Sequence, residues 1–114
     1  MDTVRIEAKG DIVLLSLLEE FDHVLTEDLK NAANKALQSF HFTHLVIGLT
    51  DVQTINSSGI GLLVSIKTKC ISQQKKLYLL NASDQIMKTL TITQMLSFFN
   101  HIHSLNDIPR IEKA

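Results

Sequence analysis

The chain has 114 residues, is 45% hydrophobic and 20% charged, and carries a formal net charge of −1. That length fits one domain, residues 1–114, with its own core and no room for a second, and the composition excludes a disordered chain. No run of Lys or Arg marks a nucleic-acid binder, no apolar segment reaches the roughly 18 residues that span a bilayer, and Met1-Asp2-Thr3 leads into an alternating pattern instead of a signal sequence, so a cytoplasmic domain is expected.

Val4, Ile6 and Ala8 alternate with polar residues, as do Ile12, Leu14 and Leu18 with Ser16 between them. Lys9-Gly10-Asp11 separates the two runs as a hairpin turn would, which predicts two antiparallel strands. After the polar segment Glu19 to His23, Thr26 suits an N-cap, with Glu27 and Asp28 in the first helical turn. Leu29, Ala32, Ala33, Ala36, Leu37 and Phe40 continue an apolar helical face. His41 to His44 lead into Leu45 to Leu49, a run apolar on both faces, as in a central strand. Asn56, Ser57, Ser58 and Gly59 are turn and cap residues, and the next helix runs from Ser57 or Ser58 to about Gln73. Its stripe is Ile60, Leu63, Val64, Lys67, Cys70 and Ile71. Leu77 to Leu80 is another short strand, and Ser83-Asp84 caps a helix that buries Ile86, Met87 and Leu90. Gln94 to Asn100 stays open, although Met95, Leu96, Phe98 and Phe99 are too apolar for an exposed loop. His101 to Leu105 reads as an edge strand, and Pro109 as an end of regular structure. The order β-β-α-β-α-β-α-β predicts an α/β domain, with a mixed central sheet of about five strands and helices packed against it.

The junction from Asn56 to Gly61 is where chemistry concentrates. A strand hands over to a helix there, and the first N–H groups of a helix point outward without intrahelical partners. Ser57 and Ser58 thus stand at a place suited to an anion. The plain reading is that one of them caps the helix, worth about 1 kcal/mol. A phosphate-binding loop needs a longer glycine frame and a Lys-Ser/Thr pair, and a dinucleotide fingerprint needs a third glycine. Asn-Ser-Ser-Gly-Ile-Gly is not a nucleophile elbow either, so an enzyme is not expected. His41 with His44, and His101 with His103, lack cysteine or acidic companions and read as surface histidines, not zinc ligands. Cys70 stands alone, leaving no disulfide framework, and is most simply core. Asp22, in a polar loop after a strand, is a candidate on both readings. No metal or cofactor is expected.

Ile55-Asn56-Ser57-Ser58-Gly59-Ile60-Gly61 resembles the signature of the STAS family of anti-sigma factor antagonists, where a strand is followed by Asp-Ser-Ser/Thr-Gly-Leu-Gly. Glu20-Phe21-Asp22-His23 is similar to that family's Gly-Glu-Leu/Phe-Asp segment, and Leu77 to Ser83 falls where the family has its strand before the third helix. The resemblance implies a bacterial regulator of transcription that works by partner switching. It would bind a serine-kinase anti-sigma factor, be inactivated by phosphorylation at Ser57 (Ser58 as the alternative), and be restored by a metal-dependent serine phosphatase. Asp22, Asn56, Ser57, Ser58, Gly59 and Ile60 would form the contact, on a domain monomeric when free. Asn56 replaces the family's usual Asp, and Glu19 its usual Gly. The competing expectation is a STAS module that is never phosphorylated, serving as a scaffold or transporter subunit, with the serine a mere cap.

Overall fold

The computed structural model describes residues 3–108. Among these, β1 (Val4–Lys9), β2 (Ile12–Leu17), β3 (His44–Gly48), β4 (Lys76–Leu80) and β5 (Asn100–Ile102) form one sheet in the order β1-β2-β3-β4-β5. Helices α1 (His23–Ser39), α2 (Ser57–Ser72) and α3 (Asp84–Ile92) join the successive parallel strands, and a short 3-10 turn, Leu96–Phe98, precedes β5. The predicted α/β class and mixed five-stranded sheet are thus realised. Pro109 lies outside the described residues.

β1 and β2 pair antiparallel with Lys9 opposite Ile12, so the loop is Gly10-Asp11 alone. Gly10 sits at φ 57°, a conformation that glycine reaches without steric penalty and that tight hairpin loops require. The remaining pairs, β2 with β3, β3 with β4 and β4 with β5, are parallel. Their three crossover helices pack into one cluster with Val13, Leu15 and Leu17 of β2, Leu45 and Ile47 of β3, and Leu77 and Leu79 of β4. All three helices therefore cover one face of the sheet. Leu14, Val46, Tyr78 and Ile102 point to the other face, which Leu105 and Ile108 cover.

This double cover explains a departure from the alternating pattern. The sequence reads Ile12, Leu14 and Leu18 as an alternating set, yet Val13, Leu15 and Leu17 between them face the helices, while Leu14 lies in the second cluster. An interior strand buried on both faces carries no polar alternation to read. The start of α1 also differs. Asp22, not Thr26, is the N-cap: its side chain accepts from the Leu25 amide at 2.8 Å, and Thr26 Oγ1 donates to the Asp22 carbonyl. Starting the helix at His23 buries Leu25 fully, and it moves Glu27 and Asp28 out of the first turn. On α2 the buried face is Gly59, Ile60, Leu63, Ile66 and Cys70, while Ile71 is 59% exposed. His44 is no surface histidine: it is buried, with Nδ1 3.2 Å from the Tyr78 hydroxyl. His103 lies beyond β5.

Candidate functional site

At the carboxyl end of β3 the chain turns through residues 49–56 before α2 begins. Val52 and Ile55 are buried and pin this loop to the core. Its polar backbone is held from two sides. The Glu20 carboxylate accepts from the Gln53 amide at 2.8 Å, from the Thr54 amide at 3.1 Å and from the Thr54 hydroxyl. These bonds, that from Gln53 foremost, hold the Glu20 pKa below its ordinary value. On the other side, Ser83 Oγ donates to the Gln53 carbonyl at 2.7 Å while it caps α3 by accepting from the Ile86 amide. The loop is a fixed platform.

Asn56 is the N-cap of α2, its Oδ1 accepting from the Gly59 amide at 2.8 Å. This overturns the reading of Ser57 or Ser58 as the cap. Asn caps as well as Ser or Asp, and one cap per helix suffices. Ser57 and Ser58 instead occupy the first turn, both exposed, with amides that the helix itself leaves unpaired. Gly59 and Ile60, by contrast, are buried. A Cβ on Gly59 would lie 2.8 Å from Phe21 Cδ1 and 2.9 Å from Ile55 Cγ1. Only glycine lets α2 start this close to Phe21.

Phe21 is followed directly by Asp22, so seating Phe21 against Gly59 brings the amino ends of α1 and α2 together. A cavity of about 210 Å³ opens between them, lined by Asp22, His23, Thr26, Asn56 and Ser58. The structure thus gathers Asp22, Asn56 and Ser58 around one space with Ser57 beside it, and leaves Gly59 and Ile60 as packing. Sequence reasoning missed the part played by Glu20, whose partners lie 33 and 34 residues away and leave no local signal. Exposed carboxylates crowd this end of the molecule: Glu19, Glu20 and Asp22 after β2, Asp51 after β3 and Asp84 after β4. The amino ends of α1 and α2 and the exposed Ser57 and Ser58 hydroxyls thus share one end of the molecule with an acidic rim. Among the described residues, no helix is long and apolar enough to cross a membrane.

The family model for the STAS domain matches residues 3–108. Among solved structures, the anti-sigma factor antagonist SpoIIAA in its unphosphorylated form superposes with a TM-score of 0.80 at 19% identity, covering 97% of both chains. A putative anti-sigma factor antagonist from Thermotoga maritima gives 0.84 at 16% identity, covering 97% of this chain and 95% of its own. The phosphorylated form of the Bacillus cell fate determinant SpoIIAA gives 0.72 at 19% identity, covering 95% and 98%. At these identities the likeness is one of fold.

Proposed function

Since the chain belongs to the STAS domain family, we propose that it acts as an anti-sigma factor antagonist that docks on a serine-kinase anti-sigma factor, frees the sigma factor, and is switched off by phosphorylation at Ser57. The observation that carries this reading is the exposure of Ser57 in the first turn of α2, on a platform braced by Glu20 and Ser83. A kinase reaches that hydroxyl without unfolding anything. The product adds about −1.5 to −2 charges. The helix end offsets such charge by about 0.3–1 kcal/mol at an exposed position, so the domain itself tolerates the phosphate.

The cost falls on the complex. A partner facing the carboxylates of this rim is drawn in by a surface of opposite sign. A dianion buried against it must be desolvated, and it repels any acidic group the partner presents. The unmodified domain docks and the phosphorylated one does not. A metal-dependent serine phosphatase then resets the switch. Ser58 is the second candidate acceptor, favoured by its place in the cavity beside Asp22.

The test is incubation with a candidate kinase and ATP, read by intact mass and by fragment mapping of the modified residue. The reading predicts one added phosphate on Ser57, abolished in Ser57→Ala, and a Ser57→Asp variant that loses its partner in pull-downs. A protein that binds its partner equally well with and without the Ser57→Asp change would instead be a constitutive interaction module.

A further inference from the structure

We propose that a polar cavity on the sheet face opposite the helices, at the carboxyl ends of β2 and β3, binds a small zwitterion of the α-amino acid class. The cavity measures about 110 Å³, and its walls include Arg5, Ser16, Gly48, Thr50, Asp51 and Leu80. Its floor follows from the strand register. Arg5, Ser16, Gly48 and Leu80 stand opposite one another on β1, β2, β3 and β4, so all four share one face of the sheet. The long side chains stand at the ends of this row and the smallest residues in its middle. The result is a trough whose ends lie about 14 Å apart, three strand spacings. Gly48 is there neither for backbone nor for packing. Among the glycines only Gly10 has a positive φ, and a Cβ on Gly48 would make ordinary contacts of 3.4 Å with Ser16 and 3.5 Å with Leu14. Pairing on both sides of β3 is unbroken, so no bulge accounts for it. A glycine that weakens a strand without such a reason marks a place where another group comes close to the backbone.

Polar groups line this trough without partners. Among the described residues, neither the Arg5 guanidinium nor the Asp51 carboxylate makes an ion pair or a hydrogen bond, and the Ser16 hydroxyl makes none either. Glu7, the next residue of β1 on this face, is paired with Lys9 at 3.9 Å. Thr50 Oγ1 accepts from the Asn81 amide group at 3.3 Å, which leaves its own proton to donate. A cation and an anion thus line one cavity without closing on each other. A simple anion placed there would meet Asp51, and a simple cation would meet Arg5; a molecule carrying both ends satisfies both. The planar Arg5 fork suits a carboxylate through two parallel bonds, and the Asp51 carboxylate accepts from an ammonium. The volume holds several waters, hence one molecule of few heavy atoms such as glycine. In open α/β sheets, the crevice outside the carboxyl ends of the strands is where ligands bind.

The test is an amide-resolved NMR titration of the whole protein with glycine, and separately with acetate and methylammonium, which each carry one end only. Saturable shifts are expected at Ser16, Gly48 and Asp51. Arg5 and Asp51 are exposed, so water screens each contact, binding is millimolar, and one charge contact is worth about fivefold in affinity. Acetate and methylammonium should each bind about fivefold more weakly than glycine. Arg5→Gln and Asp51→Asn should each weaken glycine by the same factor, while Lys30→Gln, on α1 at the other face of the sheet, should leave it unchanged. Gly48→Ala serves as the independent variant. The fold has room for its methyl group, so Tm should hold or rise, yet glycine binding should weaken because the methyl fills the trough. Equal affinity for all three ligands, no saturable shift at these amides, or undiminished glycine binding by Gly48→Ala would overturn the assignment.

Discussion

Two glycines stand two residues apart at the start of α2, and the same substitution should act on them with opposite sign. Nothing lies within 4 Å of a Cβ built on Gly61, which is exposed. Gly61→Ala therefore collects the helix propensity of alanine, up to about 1 kcal/mol. For a domain of this size that corresponds to a rise in Tm of about 4 °C. At Gly59 the new methyl meets Phe21 Cδ1 at 2.8 Å, Ile55 Cγ1 at 2.9 Å and Phe21 Cε1 at 3.1 Å. Phe21 and Ile55 are only 9% and 7% exposed, so neither swings into solvent to make room. Overpacking of this kind costs about 1–3 kcal/mol and exceeds the propensity gain, leaving a net loss of about 1 kcal/mol. Urea unfolding followed by circular dichroism measures both, and equal m-values ensure that the midpoints report stability. In a Phe21→Leu background the Gly59→Ala penalty should shrink, because the two changes share one contact. If both glycine variants stabilise the fold alike, the close seating of α2 against Phe21, and with it the cavity between Asp22 and Ser58, has been misread.

Asn56→Ala should cost about 1 kcal/mol through loss of the cap, whereas Asn56→Asp keeps the cap and adds charge at a helix amino end for about 0.3–1 kcal/mol of extra stability. With a candidate kinase, Asn56→Asp should be phosphorylated no faster than the native chain, since the carboxylate repels the incoming phosphate; faster labelling refutes that account of Asn56. Glu20 is held below its usual 4.5 by the bonds from Gln53 and Thr54. A carboxylate whose folded pKa is depressed stabilises the fold above the unfolded value and loses that contribution as pH falls through the folded one. Glu20→Gln should therefore lower the urea midpoint at pH 7, with the gap to the native chain closing below about pH 4.5. A gap that persists unchanged to pH 3 would mean that shape, and not charge, braces the loop.

What was legible in the residues was periodicity and punctuation. Gly10 announced the hairpin, Ser83-Asp84 the start of α3, and the pair of serines the mouth of α2, because each feature is set by neighbours within four positions. The elements that misled did so where tertiary packing decides. On β2, burial from both sides erased the alternation that would have separated its two faces. On α1, Thr26 and Asp22 both qualify as caps, and the burial of Leu25 makes Asp22 the choice. Glu20 shows the limit best. In the sequence it stands out only through its resemblance to a family segment, since bonds to a loop more than thirty residues downstream have no periodic trace. The seven-residue motif carried the family, and only the folded chain shows that Asn56, the position departing from it, is the residue holding the helix end.

Among the described residues the sheet is open, so it has two borders where strands of a second molecule could add. At one, β1 carries Arg5, Glu7 and Lys9 at alternate positions, charges that an added strand would have to match residue for residue. At the other, β5 is only three residues long, too short a template for lasting ribbon growth. Ladder-like self-association is thereby discouraged on both flanks, and the sheet stops growing where the chain's own strands stop.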